Sequence, residues 1–350
     1  MKHHMENQRD EPKVSVVILN WNGRKLLEQF LPLVLEHTVS DVYSVVVADN
    51  GSTDDSVEFL QTRFPEVPLI LFDENHGFAG GYNRALAQVR SEYVVLLNSD
   101  VETTPNWLQP LVAFMDNHPE VAAVQPKLLS YHQRDHFEYA GAAGGFIDRY
   151  GYPFCRGRIL EEVEEDRGQY DTVIPLFWAT GACLMIRKGD FVEHGGLDGR
   201  FFAHMEEIDL CWRLNARGRQ VMCVPSSTVY HVGGASLDKE NPKKMYLNFR
   251  NNLLMLYKNV PRARYLTTFA VRYLMDLLAF AHLLLNGNFK NARAVVKAYV
   301  DFWKMRPSYK QVRRENLAKT LIEKIPTQYP KSILIRFYTG KKTYQSLYSK

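Results

Sequence analysis

The chain has 350 residues, of which 46% are hydrophobic and 23% are charged. This composition is typical of a globular protein and excludes an intrinsically disordered one. The four cysteines, at positions 155, 183, 211 and 223, form no CxxC pair and lack zinc-like spacing, which favours buried thiols in a reducing compartment. Residues 1–11 are polar and contain no apolar run, so we expect a polar leader and no secretory signal.

The net charge of +4 hides an uneven distribution of charge along the chain. Residues 246–350 contain 20 Lys and Arg against four Asp and Glu, whereas the preceding residues contain 23 and 35. A division of this size predicts two regions with different partners. We therefore expect one domain over residues 12–245 and a basic, helical C-terminal region over residues 246–350.

The first hundred residues alternate between apolar runs and helical patterns. The runs predict strands at 14–19, 42–48, 69–72 and 93–97, and helical spacing predicts helices at 26–37, 54–64 and 80–89. Strands that alternate with helices form parallel sheets with both faces covered. The predicted fold class is therefore α/β, with a mostly parallel sheet flanked by helices and a C-terminal helical extension.

Polar loops follow all four predicted strands. They have the sequences NWNG at 20–23, DNGSTD at 49–54, NHGFAGGYN at 75–83 and NSD at 98–100. Each loop alone is explained by turn formation and helix capping. Ligands of such sheets bind beyond the carboxyl ends of the strands, so four polar loops at one end predict a binding site there.

The later part of the chain is less regular. Residues 121–175 suggest loops and short strands, whereas 177–186 predicts a strand, 206–216 a helix ended by Gly218, and 221–224 and 228–231 short strands. The apolar stretch 265–285 is interrupted by Arg272, Asp276 and His282, so we expect an amphipathic helix against protein or bilayer rather than a membrane span.

Seven motifs, in this order, resemble those of family 2 glycosyltransferases. They are VSVVILNWNG (14–23), ADNGSTDDS (48–56), NHGFAGGYNRAL (75–86), LLNSDVE (96–102), TGACLMIRK (180–188), GGLDGRFFAHMEEIDLCWR (195–213) and YHVGGAS (230–236). The subgroup that the chain resembles most is the bacterial rhamnosyltransferase-like enzymes of cell-surface polysaccharide synthesis. The resemblance covers about residues 12–250 and implies a GT-A fold and a cytoplasmic enzyme. It also implies transfer of a sugar, with inversion, from a nucleotide-diphosphate donor to a hydroxyl of a glycan or lipid-linked acceptor.

The resemblance places a donor site in the polar loops. It implies that Asp49 accepts hydrogen bonds from the base or ribose, although an Asx turn at Gly51 and Ser52 is the alternative. Gly80 and Gly81 would let the backbone approach the diphosphate, or would pack a helix on the sheet. The full set of donor-binding candidates is Asn20, Asn22, Asp49, Gly80, Gly81, Asn83 and Asp100.

A divalent cation, Mg²⁺ or Mn²⁺, is the cofactor that the resemblance implies. The DxD-like motif of the family is Asn98-Ser99-Asp100 in this chain, so one acid remains, and Asp100 is the candidate metal ligand. His231 is the second candidate, for the metal or the diphosphate, although a lone histidine is often structural. The cation would neutralise charge on the departing nucleoside diphosphate.

The general base is expected in the acidic motif at 206–209. The position that supplies the base in the family is Glu207 here, where Asp is usual, and a positioned carboxylate typically contributes ~10²–10⁴-fold. Glu206 and Asp209 are the other catalytic candidates. Their alternative roles are stabilisation of a helix N-terminus by Glu206 and an i,i+4 ion pair between Asp209 and Arg213.

The acceptor side of the site is expected near residues 178–181. The candidates are Trp178, Thr180 and Gly181, which match the part of the family that forms the acceptor-side wall. An aromatic face suits stacking on a sugar, but a tryptophan packed in the core is an equal alternative.

Basic residues in the C-terminal region predict an anionic membrane surface as a partner. They form two groups, Arg250, Lys258, Arg262 and Arg264, and then Lys310, Arg313 and Arg314. Each Lys or Arg near an anionic leaflet contributes ~1 kcal/mol, which would place the protein peripherally on the inner face of the cytoplasmic membrane. Solvated faces of a helical domain are the alternative, and nucleic acid is not expected because no nucleic-acid-binding motif accompanies the charge.

Two other functions compete with glycosyl transfer. A nucleotidyltransferase that makes the nucleotide-sugar would also need a nucleotide-binding α/β domain, but its glycine-rich loop is absent from residues 20–25. A non-catalytic, membrane-associated protein that binds sugar nucleotides is the second alternative, which the reduced acidic motif at Asn98 and Ser99 keeps open.

Overall fold

The computed structural model describes residues 11–233 and 241–349. Most of the expected polar leader therefore lies outside the described residues, and so do positions 234–236 of the last motif. The residues between these gaps form an α/β body with helices on both faces of a large sheet and a helical C-terminal region, as the sequence predicts.

The first part of the chain alternates between strands and helices. The elements are β1 (Val14–Asn20), α1 (Arg24–His37), β2 (Tyr43–Asn50), α2 (Ser56–Arg63), β3 (Leu69–Phe72), α3 (Gly77–Gln88), β4 (Tyr93–Asn98), β5 (Val101–Thr103) and α4 (Gln109–Asn117). The predicted strands and helices of this part are confirmed. The main difference is that α3 begins at Gly77, three residues before the predicted start.

The second part contains short strands and the acidic helix. The elements are β6 (Val121–Ser130), β7 (Gly145–Asp148), β8 (Pro153–Cys155), β9 (Arg158–Ile159), β10 (Glu162–Val163), β11 (Ile174–Pro175), β12 (Cys183–Arg187), α5 (Lys188–Glu193), a 3₁₀ turn (Gly199–Phe201), α6 (Glu206–Ala216) and β13 (Gln220–His231). Helix α6 has the predicted bounds.

The C-terminal region is mainly helical. Its elements are α7 (Pro242–Asn259), α8 (Arg262–Leu285), α9 (Phe289–Met305), a 3₁₀ turn (Arg306–Tyr309), α10 (Lys310–Ala318), β14 (Gln328–Tyr329), α11 (Ile333–Tyr338) and α12 (Tyr344–Tyr348). Strand β14 was not predicted.

Within the described residues the main sheet has nine strands, in the order β11-β13-β6-β12-β4-β1-β2-β3, with β5 paired to β13. Strands β1 to β4 run parallel, so the predicted parallel sheet is confirmed for them. Strand β12 runs antiparallel between β4 and β6, and β13 runs parallel to β6. The carboxyl ends of β1, β2 and β4 therefore lie at one edge of the sheet.

Both faces of the sheet are buried. Along β1, Val17 packs in one apolar cluster with residues of α3, whereas Val16 and Ile18 pack in a second cluster with residues of α1 and α4. This alternation follows from the two-residue period of a strand, and apolar residues on both faces are expected for parallel strands covered by helices.

A second, smaller sheet joins the C-terminal region to the rest of the chain. Its order is β10-β9-β8-β7-β14, so β14 of the C-terminal region pairs with β7. The carboxylate of Asp148 at the end of β7 also accepts a hydrogen bond from the backbone N–H of Ile333, at 2.9 Å. The helical region is therefore attached to the α/β body by backbone pairing as well as by side chains.

Candidate active site

Asn20 and Asp49 meet at the carboxyl ends of β1 and β2. The Asn20 amide donates to Asp49 Oδ2 at 2.9 Å, and the Ser52 N–H and hydroxyl donate to the same carboxylate at 2.9 and 2.6 Å. Asp49 therefore both forms the turn expected of an Asx residue and lies at the sheet edge. The Asn20 Oδ1 is buried and has no hydrogen-bond partner among the described residues, so it can accept from a ligand.

Asn22 joins two loops. Its backbone is left-handed, with φ 51°, and its side-chain oxygen accepts from the N–H groups of Thr53 and Asp54 at 2.7 and 3.3 Å. Because these bonds occupy the side-chain oxygen, the structure gives Asn22 a role in holding the β1 and β2 loops together. These bonds favour a structural role for Asn22, and its donor-binding role stays a prediction.

The glycines at the start of α3 have two different roles. A Cβ on Gly81 would lie 2.8 Å from the side chain of Leu19, so Gly81 allows α3 to pack closely on β1, which was the alternative explanation. A Cβ on Gly80 would meet only His76, at 3.1 Å. Of the two predicted glycines, only Gly80 is free of close packing against the sheet, so a donor-binding role stays a prediction for Gly80.

Asn83 is bonded to a distant loop rather than exposed to a ligand. Its amide donates to the carbonyl of Leu197 at 2.7 Å and accepts from the Leu197 N–H at 3.0 Å. Both ends of the side chain are thereby used. Asn83 therefore fixes the loop before α6 against α3, and its donor-binding role stays a prediction.

Asp100 and His231 form a buried pair where β4 and β13 end. His231 Nε2 lies 3.1 Å from Asp100 Oδ1, and the Val232 N–H donates to the Asp100 carbonyl at 3.1 Å. On the other side, His231 Nδ1 lies 3.3 Å from an oxygen of Glu138 without hydrogen-bond alignment. The structure therefore joins the two predicted metal ligands and adds Glu138, which no motif indicated because it lies in the irregular segment 121–175.

These three groups carry complementary charge. Burial alone would raise the pKa of Asp100, but the charge of His231 and its hydrogen bond hold that pKa below its usual value. Burial alone would lower the pKa of His231, but the charges of Glu138 and Asp100 raise it to about 10. Within the described residues no group of three or more His, Cys, Asp or Glu is arranged to hold a metal ion.

Two carboxylates lie side by side at the start of α6. Glu206 is buried and Glu207 is half-buried, and the Oε2 of each is enclosed without a hydrogen-bond partner among the described residues. Burial raises the pKa of Glu207 to about 7. Burial and the neighbouring charge of Glu207 raise the pKa of Glu206 well above its usual value. A carboxylate with a raised pKa and a free oxygen is suited to accept a proton.

The residues directly before α6 have a strained backbone. Phe202, His204 and Met205 all have φ between 68° and 74°, the left-handed region that non-glycine residues rarely occupy. Each such residue costs on the order of 1–3 kcal/mol, and such strain is concentrated at functional sites. The strained turn sets the direction in which Glu206 and Glu207 enter the helix.

Asn251 of α7 stabilises this turn through hydrogen bonds to its backbone carbonyls. Its amide donates to the carbonyls of Phe201, Ala203 and His204 at 3.0, 2.8 and 2.8 Å, and its own oxygen accepts from the guanidinium of Arg250. The sequence carries one signal of this role that the motif analysis did not use. Two adjacent asparagines inside a helix are poor helix formers, so another interaction has to favour them.

Asp209 belongs to a buried ionic network. It accepts hydrogen bonds from Arg213 at 3.1 Å, from Lys258 at 2.7 Å and from Asn259 at 2.7 Å, and is fully buried. Lys258 also binds Asp198 at 2.8 Å. Because its carboxylate is fully used by partners on α6 and α7, Asp209 has a structural role. This extends the ion pair expected with Arg213 and favours the structural alternative, while the catalytic role of Asp209 stays a prediction.

The predicted acceptor-side residues are packed in the interior. Trp178 is 3% exposed and its indole N–H donates to the carbonyl of Phe146 at 2.8 Å, so it has no free face for a sugar. The hydroxyl of buried Thr180 accepts from the backbone of Ala182, and a Cβ on Gly181 would meet the ring of Phe78 at 2.8 Å. The structure favours the alternative of a tryptophan packed in the core, because these residues build a buried turn before β12, and the acceptor-side role stays a prediction.

The family model for glycosyl transferase family 2 matches residues 15–193. A curated relative is N-acetylglucosaminyl-diphospho-decaprenol L-rhamnosyltransferase of Mycobacterium tuberculosis, 27% identical over 69% of this chain and 83% of the relative. Another is the O-antigen biosynthesis protein RfbC of Myxococcus xanthus, 29% identical over 65% of this chain and 18% of the relative.

Solved structures support the same fold. GalNAc-T7 with UDP, GalNAc and Mn²⁺ aligns with a TM-score of 0.56 at 16% identity, over 71% of this chain and 48% of that one. The fragment 1–349 of TarS from S. aureus, in complex with UDP-GlcNAc, aligns with a TM-score of 0.55 at 15% identity, over 88% and 89% of the two chains. The family match covers the strand ends that hold Asn20, Asp49 and Asp100, and the chain belongs to glycosyl transferase family 2 as a nucleotide-sugar-dependent glycosyltransferase.

Proposed function

We propose that the protein transfers a sugar from a nucleotide-diphosphate donor to an acceptor hydroxyl, with inversion at the anomeric carbon and with Glu207 as the general base. One observation carries this proposal. The Glu207 carboxylate lies at the start of α6 with a free oxygen and a pKa raised to about 7. A base whose pKa is near the working pH is both available and strong enough to take a hydroxyl proton.

The reaction is a single displacement. Glu207 takes the proton of the acceptor hydroxyl while the hydroxyl oxygen forms a bond to the anomeric carbon. The bond between that carbon and the diphosphate oxygen breaks, and the nucleoside diphosphate leaves with the electron pair. Because the attack comes from the face opposite the leaving group, one displacement inverts the anomeric configuration. Burial, which raises the pKa of Glu207 to about 7, makes this carboxylate a stronger base than an exposed glutamate.

The donor is held at the strand ends. Asp49 and the free oxygen of Asn20 offer acceptors to the nucleoside, and Asp100 lies at the end of the neighbouring β4. At the start of α3, which includes Gly80, the N–H groups of Gly77 and Ala79 already donate to Asn75 and Phe202, so only the remaining N–H groups of the first turn would favour an anionic group such as a diphosphate. Asn22, Gly81 and Asn83 support these loops.

Asp100 would hold a divalent cation, and His231 would join it only after losing the proton that Glu138 and Asp100 stabilise. Diphosphate oxygens are the kind of ligand that Mg²⁺ and Mn²⁺ prefer for the remaining positions. When bound, the cation neutralises negative charge on the departing diphosphate. Since the chain itself offers so few ligands, we expect the cation to bind with the donor rather than before it.

The acceptor that we propose is a lipid-linked glycan at the cytoplasmic face of a membrane, and rhamnose is the first sugar to test. The support for both comes from the rhamnosyltransferase relative, whose name specifies a decaprenol-linked acceptor. Polysaccharide synthesis is consistent with the second relative, a protein of O-antigen biosynthesis.

The proposal is tested by incubating purified protein with a panel of nucleotide-sugars and a membrane lipid extract, with Mg²⁺ or Mn²⁺ and then with EDTA. We expect metal-dependent release of one nucleoside diphosphate and a change of anomeric configuration in the product. Pyrophosphate release would instead indicate a nucleotidyltransferase. Donor binding without release, under every condition and with every acceptor fraction, would indicate a non-catalytic binding protein.

A further inference from the structure

Helix α8 has its polar and apolar faces reversed relative to a helix on a soluble protein. Its buried residues are Thr268, Arg272 and Asp276. Its exposed large apolar residues are Leu266, Tyr273, Leu274, Leu277, Leu278, Leu284 and Leu285. These recur at intervals of three, four or seven residues and so lie along one side of the helix. Although Arg262 and His282 near the helix ends are exposed, the central charged residues Arg272 and Asp276 face the protein and the leucines face outward, so the apolar side is available to another apolar medium.

The inward face of α8 is fully used in attaching the helix to the globular body. Arg272 donates to both oxygens of Asp276 at 2.9 Å and to the Asn252 side chain of α7 at 2.7 Å. The hydroxyls of Tyr152 and Tyr299 donate to Asp276 at 3.0 and 2.7 Å. This side of the helix therefore cannot turn outward without exposing a buried ion pair, and the leucine side is fixed in its outward position.

Helix α9 adds a basic stripe beside a second apolar stripe. The apolar side chains that it exposes are Phe289, Val296, Val300 and Trp303, and its exposed basic residues are Lys290, Arg293, Lys297 and Lys304. At 100° per residue the four apolar positions fall within about 60° of each other, and the basic positions occupy the adjacent sector. An apolar stripe next to a Lys- and Arg-rich stripe is typical of helices that lie in the plane of a membrane interface.

We propose that the exposed sides of these two helices, the α8–α9 face, insert into the interfacial layer of a membrane that contains anionic lipid, with both helices parallel to the membrane plane. The two stripes meet at the turn between the helices, where Leu285 is 88% and Phe289 is 68% exposed. The inference rests on the proposed function, from which it takes the lipid-linked acceptor. It adds the surface that brings the enzyme to that acceptor.

The attachment of α8 argues for lying on the membrane rather than crossing it. Among the described residues α8 is the one helix long and apolar enough to span a bilayer by length and composition. Its midpoint, however, is bonded through Arg272 to Asn252 of α7, within the globular body. Hydrocarbon cannot surround a helix that is bonded along one side to a water-soluble body, so one side is left for lipid.

The charge of α9 favours lipid over a second copy of this chain. In a symmetric dimer through the α8–α9 face, the same surface patch would contact itself, which would bring the basic stripes of the two copies together. An anionic headgroup layer instead complements Lys290 and Arg293, and each such residue strengthens binding, whereas Lys297 is already paired with Asp301 at 3.1 Å. The apolar stripe and the basic stripe therefore both favour a membrane with anionic lipid as the partner of this face.

The test is flotation of the full-length protein with vesicles of phosphatidylcholine, with or without phosphatidylglycerol, at low and high salt. We expect binding to the anionic vesicles that salt weakens. Replacing two leucines of the face, Leu274→Gln with Leu278→Gln, should weaken binding at least about tenfold. The matched control is Leu321→Gln, since Leu321 is 78% exposed but lies outside α8 and α9; it should bind like the wild type.

Two further variants separate the contributions of charge and insertion. Lys290→Gln with Arg293→Gln should weaken binding to anionic vesicles and reduce its salt dependence. Anionic vesicles should shift the tryptophan emission of the wild type to shorter wavelength, and most of that shift should be absent in Trp303→Phe, since Trp303 lies on the face.

Three results would overturn the inference: no vesicle binding by a folded monomer, equal weakening by the Leu321 control, or a dimer that the leucine variants dissociate. Each can be told apart from failure of the proposed function. A protein that releases nucleoside diphosphate but ignores vesicles refutes the membrane inference alone, whereas one that binds vesicles and never turns over a donor refutes the proposed function alone.

Discussion

Glu207 connects the electrostatics of one residue to the pH dependence of the enzyme. A general base has to be ionised, and burial raises the pKa of this carboxyl to about 7. We therefore expect kcat/KM to fall as the pH decreases through about 7, following a single protonation. The measurement is a pH–rate profile with saturating metal. An activity that stays constant down to about pH 5 would contradict the assignment, since Glu207 would then be protonated and inactive.

The same residue is expected to destabilise the fold. The folded-state pKa of Glu207 exceeds its usual value of 4.5, so the fold favours the protonated carboxyl over the ionised one. The contribution of this residue to folding stability is therefore fully present below about pH 4.5 and is lost as the pH rises through about 7. Glu207→Gln should therefore raise the free energy of unfolding by roughly 1–3 kcal/mol near pH 8 and little near pH 4.5. Urea denaturation at both pH values measures this, and an equal effect at both would contradict the buried position.

Asp209 is expected to have the opposite effect. It neutralises Arg213 and Lys258 in the interior, so Asp209→Asn leaves two buried cations with reduced compensation. Removing one partner of a buried ionic network typically costs about 3–5 kcal/mol, and we expect a loss of that order. Thermal denaturation measures the loss. A variant with wild-type stability and no activity would instead support the catalytic role that the motif first suggested.

At the residue scale, the sequence predicts the position of a side chain when the motif around it defines the local structure. Asp49, Asp100 and Glu207 lie where the motifs predicted, at strand ends and a helix start. The hydrogen bonds of Asn83 and Trp178 could not be predicted because their partners, Leu197 and Phe146, are 114 and 32 residues away. A polar residue's hydrogen bond to a distant backbone group leaves no local pattern in the sequence.

At the scale of elements, the clamp between α7 and the turn before α6 makes a separate prediction. Asn251→Ala would leave the carbonyls of Phe201, Ala203 and His204 without their shared donor and let the strained turn relax. We expect kcat to fall at least about tenfold, because Glu207 is displaced, while the KM for the donor changes little.

The control for this clamp is Asn252→Ala, the neighbouring residue on α7, which bonds Gly151 and Arg272 and contacts the turn only through a long hydrogen bond to the sulfur of Met205, at 3.7 Å. It should lower stability without the specific loss of kcat. Equal kcat losses in the two variants would mean that Asn251 acts through general stability and does not position the base.

Element boundaries were predictable where apolar runs are continuous. Strands β1 to β4 are such runs and were located to within a few residues. Strand β6 was missed because Pro126 lies within it and proline usually excludes a central strand. Strand β13 was split in two by Pro225, and the structure has a register shift between Cys223 and Thr228 around that residue. In both strands the proline lies at or near this shift in register, and the strand continues beyond it.

At the scale of the whole molecule, the C-terminal region is part of the folded body. Leu253 and Leu256 of α7 are buried in the same apolar cluster as Trp212 of α6, and Lys258 neutralises Asp209. We expect a chain that ends at residue 245 to be insoluble or unfolded, since it would expose this cluster and leave Asp209 without its lysine. Expression and circular dichroism measure this outcome, and a stable, cooperatively folded fragment would contradict it.

The long-range order of the molecule was the least predictable feature. The sheet that includes β7 and β14 pairs Ile147 with Gln328, and its strands are two to four residues long. Strands this short have no periodicity to detect, and their pairing depends on the fold having already brought distant segments together. The sequence shows the change in charge at residue 246, but this change does not indicate that the basic region packs against α6, the helix that carries Glu207.

The central claim is that Glu207 takes the acceptor proton during transfer from a donor held at the strand ends. The most direct test compares donor binding by calorimetry with transfer rate for the wild type and Glu207→Gln, using the donor and metal identified from the panel. We predict unchanged donor affinity within about twofold and a transfer rate lowered by ~10²–10⁴-fold. Transfer by Glu207→Gln at near the wild-type rate would contradict the account, because another group would then have to remove the proton.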